Sequence, residues 1–276
     1  MSLARNGIGA CVAAGAAMWA GGASALPKDW GLGFQSAASP VMDRIENFHT
    51  LLLYIITAIS LFVLVLLLWI MIRYNQRANP TPSKTHHNTL LEVAWTIIPV
   101  IILVIIAVPS FRLLYFEAEI PKPDVTIKAI GKQWFWTYEY PGSGNFQFDS
   151  LGLSDADAAK AGEPRLLGVD NVVVVPVDKV VEIDTTGADV IHSWALPQMG
   201  VKMDAVPGRI NKTWFKANRT GTFYGECSEL CGARHDSMPI EVKVVGDAEY
   251  AKWLAAAKKK FAAIDDAGAQ PRLAAK

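Results

Sequence analysis

Neither sign of charge is in excess in this sequence. Lys+Arg and Asp+Glu both number 26 in 276 residues, so there is no global basic field of the kind that gathers nucleic acid. Cysteine is scarce too. There are three, and no Cys-x-x-Cys-His occurs, which excludes a fused c-type haem domain. Charge is also missing locally: Leu51 to Ile72 and Val93 to Phe111 contain no charged residue. The first run makes about 33 Å of helix at about 1.5 Å per residue, enough to cross hydrocarbon. Pro99 interrupts the second, which a membrane helix tolerates because neighbouring groups re-satisfy the freed carbonyl. Acidic residues are absent between Arg73 and Glu92, a stretch that carries Arg73, Arg77 and Lys84. The positive-inside bias places this connection in the cytoplasm and everything after Phe116 outside.

What is present divides by position. Residues 1–25 read as a secretory signal: Arg5, an Ala/Gly-rich apolar stretch from Ile8 to Ala20, then Ala23-Ser24-Ala25 as a small-x-small cleavage pattern. Lipoprotein processing at Cys11 is a rival reading. Residues 26–116 hold the N-terminal segment and the hairpin of two spans, at about 51–72 and 93–111. From Pro121 short β-rich runs bounded by Gly, Pro, Asp and Asn take over: 125–130, 134–140, 172–177, 180–184, 212–217, 221–224 and 240–245. Such runs predict a β-sandwich or barrel, here within 117–246. Asp155 to Gly162 reads as an exposed polar insertion. Asp247 to Ile264 predicts a helix capped by Asp247, with Tyr250, Trp253, Leu254, Ala257, Phe261 and Ile264 on one face. The Lys258-Lys259-Lys260 run then lies on its solvated side.

Chemistry is concentrated between Gly225 and Pro239, where Cys227, Cys231, His235 and Met238 fall within twelve residues. Thiolate, thioether and imidazole together favour copper; a zinc site has little use for the methionine. Other readings explain part of the pattern. Cys227 and Cys231 can form a disulfide in an oxidising compartment, or the Cys2His2 content can hold zinc. His235 and Met238 can be core filler. The second histidine, His192, stands where a strand pattern runs into a loop. A single blue-copper centre would leave one cysteine unused, whereas two coppers bridged by both thiolates use the whole set.

Five segments make the chain resemble subunit II of cytochrome c oxidase: Cys227-Ser228-Glu229-Leu230-Cys231 with His235 and Met238; His192-Ser193-Trp194; Asp204 to Arg209; Gly131-Lys132-Gln133-Trp134-Phe135-Trp136; and Trp95 to Pro99. The resemblance implies a membrane-anchored all-β protein: a two-helix transmembrane hairpin, a cupredoxin-like sandwich and a C-terminal helix, in the bacterial inner membrane with the copper domain in the periplasm. It implies a dinuclear copper centre on His192, Cys227, Glu229 (through its carbonyl), Cys231, His235 and Met238. The Glu229 carboxylate then reaches magnesium or manganese at the boundary with subunit I. Trp134 resembles the residue through which electrons come in. Glu139, Asp149, Asp170 and Asp189 resemble an acidic docking surface for a lysine-rich cytochrome c, where complementary charge mainly raises the association rate. Glu92 resembles the carboxylate at the mouth of a proton-uptake path, or is a simple interfacial residue. Lys132 departs from the family pattern, which has His or a similar residue there. The implied partners are subunit I, other oxidase subunits, cytochrome c and membrane lipid. Two rivals stand beside this reading: a copper-free quinol oxidase subunit, and a tethered copper chaperone or thiol reductase with a thioredoxin-like alternation of strands and helices.

Overall fold

The computed structural model describes residues 30–261. The signal and Cys11 readings, and the helical face at Ile264, lie outside them. Helix α1 (Pro40–Arg73) begins eleven residues before the uncharged run, because Ser39 is an effective N-cap: its hydroxyl accepts the Met42 N–H, and Pro40 occupies the first turn, where its missing N–H costs nothing. Helix α2 (Thr89–Ala118) is capped by Asn88, which accepts from the Leu91 N–H, while Glu92 reaches back to the Asn88 N–H at 3.2 Å. This reciprocal arrangement satisfies two orphan donors at once. Glu92 also faces His87 Nδ1 at 2.7 Å. The apolar stretches of both helices have no share buried inside the chain.

The rest is a β-sandwich. Its strands are β1 (Val125–Lys132), β2 (Phe135–Glu139), β3 (Gln147–Ser150), β4 (Val173–Pro176), β5 (Val180–Gly187), β6 (His192–Leu196), β7 (Val201–Ala205), β8 (Asn211–Lys216), β9 (Gly221–Glu226) and β10 (Pro239–Val245). Five form one sheet in the order β3-β2-β1-β5-β8, three form another, β4-β10-β9, and β6 pairs with β7. The β1–β5 and β4–β10 pairs are parallel and the others antiparallel. This is no thioredoxin-like alternation of strand and helix, which removes the thiol-reductase rival. Burial alternates along β1 and β5, so Ile127, Ala129, Val181 and Ile183 enter one core with Trp136, Trp194, Phe215, Phe223 and Val242.

Three strands go beyond the expected ones. β3 has four residues; β6 is buried at every position and therefore shows no alternation; β7 is buried only at its ends. The polar insertion at 155–162 contains a short helix, α3 (Asp155–Ala161), capped by Ser154 and closed by Gly162. Helix α4 (Asp247–Lys260) starts at the expected residue, but its N-cap is Gly246; Asp247 is the first helical residue and makes no side-chain cap, so it favours the positive end of the helix by charge alone. Tyr250, Trp253, Leu254 and Phe261 pack on the sandwich, with Phe261 stacked on Phe148 at 4.7 Å.

The hairpin and the sandwich are joined by more than the chain connection. Val41 and Met42 are buried, Ser39 donates to the Met199 carbonyl at 2.7 Å, and backbone bonds run from Ala38 to Gln198 and from Asn218 to Ala38. The Arg219 guanidinium donates to the Ala37 carbonyl.

Candidate metal centre

Three structural pieces meet at one end of the sandwich. The loop after β9 carries Cys227 and Cys231, the start of β6 carries His192, and the turn between β1 and β2 carries Gln133 and Trp134. The two sulfurs stand 3.8 Å apart, far beyond the roughly 2.05 Å of a bond, so the cysteines are free thiols and the disulfide reading fails. His192 Nδ1 lies 3.8 Å from Cys227 Sγ, and His235 Nδ1 lies 3.6 Å from Cys231 Sγ. Each sulfur thus has its own imidazole. The donor atoms of His192, Cys227 and Cys231 all fall within 4.8 Å of one another. The Glu229 carbonyl is 3.4 Å from Cys227 Sγ, while Glu229 as a residue is exposed. Met238 is buried, and its carbonyl accepts the Cys227 N–H at 3.0 Å, which closes the ligand loop onto itself. Ser228 N–H donates to the Ser193 carbonyl at 2.9 Å, tying that loop to the strand bearing His192.

Around these groups lies a second set of contacts. Asp189 Oδ1 is 2.8 Å from His192 Nε2 and accepts the Val190 N–H at 2.7 Å; Asp189 Oδ2 accepts the Gln133 N–H at 2.7 Å. The imidazole therefore turns Nε2 toward a carboxylate and leaves Nδ1 facing the sulfur, an arrangement that fixes both tautomer and ring orientation. Gln133 works in two directions, because its side-chain amide donates to the Cys231 carbonyl at 2.7 Å, where the Trp134 indole N–H also arrives at 3.3 Å. Gly131 is required beneath this: a Cβ there would sit 2.6 Å from the His192 ring. Gly232 (φ +121°) takes a left-handed turn that side chains rarely adopt, and lies against Gln133 and Trp134.

The electrostatics follow from the crowding. Burial pushes the Cys227 thiol up, but hydrogen bonds from His192, the backbone of Ser193 and Glu229, and His235 outweigh it and hold the thiol below its ordinary range. Cys231 is pushed up by burial and then by the charge on Cys227. For His192, burial opposes protonation, yet contacts with Cys227 and Asp189 raise it overall. The two sulfurs oppose each other's ionisation, which a cation between them would relieve. The donor set fits a soft metal: two sulfurs and the His192 imidazole converge, the His235 imidazole stands beside Cys231, and the Met238 thioether follows three residues later.

The other acids are dispersed. Asp149 accepts from Thr137 and lies 4.0 Å from Lys132, next to the Trp134 turn. Glu139 is paired with Lys128 at 3.1 Å and stands at the far end of β2, roughly 17 Å along the strand from Trp134. Asp170 accepts the Leu151 N–H. Asp189, expected as a docking acid, has both oxygens engaged inward. The roles of Gln133 and Asp189 as supports were not legible in advance, although the three-residue spacing from Asp189 to His192 in a loop was the available signal.

Comparisons with known proteins give the chain its relatives. The family model described as cytochrome C oxidase subunit II, periplasmic domain, matches residues 125–245, and the one described as cytochrome C oxidase subunit II, transmembrane domain, matches 27–113. The chain is 50% identical over 237 residues to a probable cytochrome c oxidase subunit 2 of Rickettsia bellii, covering 86% of this chain and 87% of that one. It is 45% identical over 249 residues to the cytochrome c oxidase subunit 2 of Cereibacter sphaeroides, covering 84% and 82%. A crystal structure of the periplasmic domain of subunit II of cytochrome oxidase of Bradyrhizobium japonicum is 60% identical and covers 52% of this chain and 100% of that one, with a TM-score of 0.49.

Proposed function

This chain belongs to the cytochrome c oxidase subunit II family, and from that premise we propose that it is the subunit where the oxidase takes electrons from cytochrome c. It relays them to haem in subunit I, where oxygen is reduced to water and protons are pumped. The oxygen chemistry belongs to subunit I. Other oxidase subunits are its partners, and two apolar helices anchor it in a membrane.

The observation that carries this reading is the pair of free thiols 3.8 Å apart, each with its own imidazole. Cys227, Cys231, His192, His235, Met238 and the Glu229 carbonyl would hold a dinuclear copper centre. When bound, that centre supplies one-electron storage spread over two metals. Everything else is done by the chain. Asp189 holds His192 in one tautomer, Gln133 joins Asp189 to the Cys231 carbonyl, and the site is thereby shaped before any ligand arrives. Such prior ordering limits rearrangement on electron arrival. Trp134 is the residue that meets the donor, a reading supported by its half-burial and by its indole hydrogen bond to the Cys231 carbonyl. Asp149 and Asp170 are exposed and available for docking beside it, with Glu139 farther along β2. Asp189 serves the site first. The exposed Glu229 carboxylate is available to magnesium or manganese at the boundary with subunit I. The membrane is the bacterial inner membrane, with the N-terminal segment and hairpin (26–116) below the copper domain (117–246), the C-terminal helix of the last unit (247–276) packed on that domain, and Glu92 at the cytoplasmic end beside a proton-uptake path.

The test is metal analysis with electron paramagnetic resonance on the full-length chain, purified in detergent and loaded with copper. Two coppers per chain, with one unpaired electron split equally by both nuclei, are expected, and both are lost in Cys227→Ser. One copper with a single-nucleus pattern overturns the reading in favour of a mononuclear site. A chain that refuses copper even after reduction supports the copper-free quinol oxidase alternative.

A further inference from the structure

A second polar site lies far from the sulfurs, between the ends of α1 and α2 nearest the sandwich. There a cavity of about 250 Å³ is lined by Arg44, Asn47, Phe48, Leu51, Pro109, Arg112 and Leu113. Leu51 is the first residue of one uncharged run, and Arg112 is the first residue after the other. The cavity therefore straddles the edge of the apolar band. Its cations are deliberately placed: the Arg44 guanidinium lies 3.6 Å over the Phe116 ring, and Phe116 is one turn beyond Arg112 on α2.

These two arginines have no anion. Among the described residues, neither guanidinium is within ion-pair distance of a carboxylate or makes a hydrogen bond, although Asp43 and Glu46 flank Arg44 in sequence. The two cations repel each other, and they stand on the outer side, against the bias that gathers Lys and Arg in the cytoplasmic loop. A ligand that relieves this must be anionic at one end and apolar at the other, because most of the lining is Phe48, Leu51, Pro109 and Leu113. We infer that this cavity binds the phosphate headgroup of an anionic phospholipid of the outer leaflet, between Arg44 and Arg112, with an acyl chain running down over Leu51 and Pro109. The inference rests on the membrane placement proposed above. A carboxylate from a neighbouring subunit would satisfy the charges but leave the apolar floor without a counterpart.

The experiment uses the assembled oxidase, delipidated in mild detergent, and counts bound lipid by native mass spectrometry during titration with phosphatidylglycerol or with phosphatidylcholine of the same chains. The wild type should retain about one more phosphatidylglycerol than Arg44→Gln/Arg112→Gln, with a preference over phosphatidylcholine of roughly tenfold or more, since each cation adds to the attraction. Arg44→Lys/Arg112→Lys keeps the charges and should keep the lipid, which separates charge loss from misassembly. Equal phosphatidylglycerol counts in wild type and the Gln variant overturn the inference, as does equal loss of both lipids. A photo-reactive residue in place of Phe48 that couples only to another subunit also overturns it. Release of the chain from membranes by alkaline extraction would count against the placement itself, which the lipid count does not address.

Discussion

Asp189 illustrates how one side chain can hold several others. It accepts from two backbone N–H groups and engages His192 Nε2, so its exchange for asparagine keeps the shape but sets an amide N–H₂ against one of those donors. Asp189→Asn should lower copper affinity by about 10–100-fold, as loss of a carboxylate behind a ligating imidazole does. Competition with a copper chelator, together with the resonance spectrum, reads this directly. A pure docking acid would instead leave affinity and spectrum untouched and change only the salt dependence of cytochrome c oxidation. Glu241 offers a different case. It is buried on β10, near Glu163 and Tyr224, and only Lys243 brings opposite charge; burial raises its carboxyl to about 7 even though the Val169 N–H donates to it. Its folded value lies above the ordinary 4.5, so its contribution to stability is full below about 4.5 and is lost as pH rises through about 7. Above pH 7 ionisation costs up to about 3 kcal/mol. Glu241→Gln should therefore be more stable than the wild type at pH 8 and flatten the slope between pH 5 and 7, measured as thermal midpoint against pH. An unchanged slope would show that this carboxyl does not titrate there.

Among the elements, α1 does the most unexpected work. Its uncharged run announced a span, but Pro40 to Thr50 carry charge and no long apolar pattern, and only the cap at Ser39 explains why the helix begins there. Ser39 also donates to the Met199 carbonyl, so Ser39→Ala removes a cap and leaves a buried acceptor without its donor. The cost should be about 2–3 kcal/mol. Faster amide hydrogen exchange at Ala38, Met42 and Asn218, with the β1 and β5 amides unaffected, would locate that cost at the joint; uniform acceleration would place it elsewhere. The strands were legible where burial alternates, as in β1 and β5, or where a run is continuous and flanked by turn residues, as in β4. β3, β6 and β7 escaped because a four-residue strand offers too few periods, a wholly buried strand offers none, and a strand buried only at its ends offers a broken one. The candidate ligands Cys227, Cys231, His235 and Met238 were legible because soft donors crowd one segment. Their supports were not, because Gln133 and Asp189 are 56 residues apart and meet only through β-sheet register.

At the scale of the whole molecule, three environments are matched by three surfaces. The hairpin shows lipid-compatible side chains all round, the sandwich encloses an aromatic core, and the candidate metal end holds its two thiols buried beneath the turn that carries Trp134. A balanced net charge leaves recognition to these local surfaces. Helix α1 connects them without a break: 34 residues at about 1.5 Å each make a rod of about 51 Å, longer than the roughly 30 Å hydrocarbon layer, and its first turns are fastened to the sandwich. It is thus a ruler as well as an anchor. Under the electron relay proposed above, transfer falls off exponentially with gap width, so the height of the sulfurs above a redox partner in the membrane would be a kinetic quantity, set by helical phase. One residue inserted between Glu46 and Thr50 would lift the domain by about 1.5 Å and turn it by about 100°, whereas about four would raise it a full pitch and face it nearly the same way.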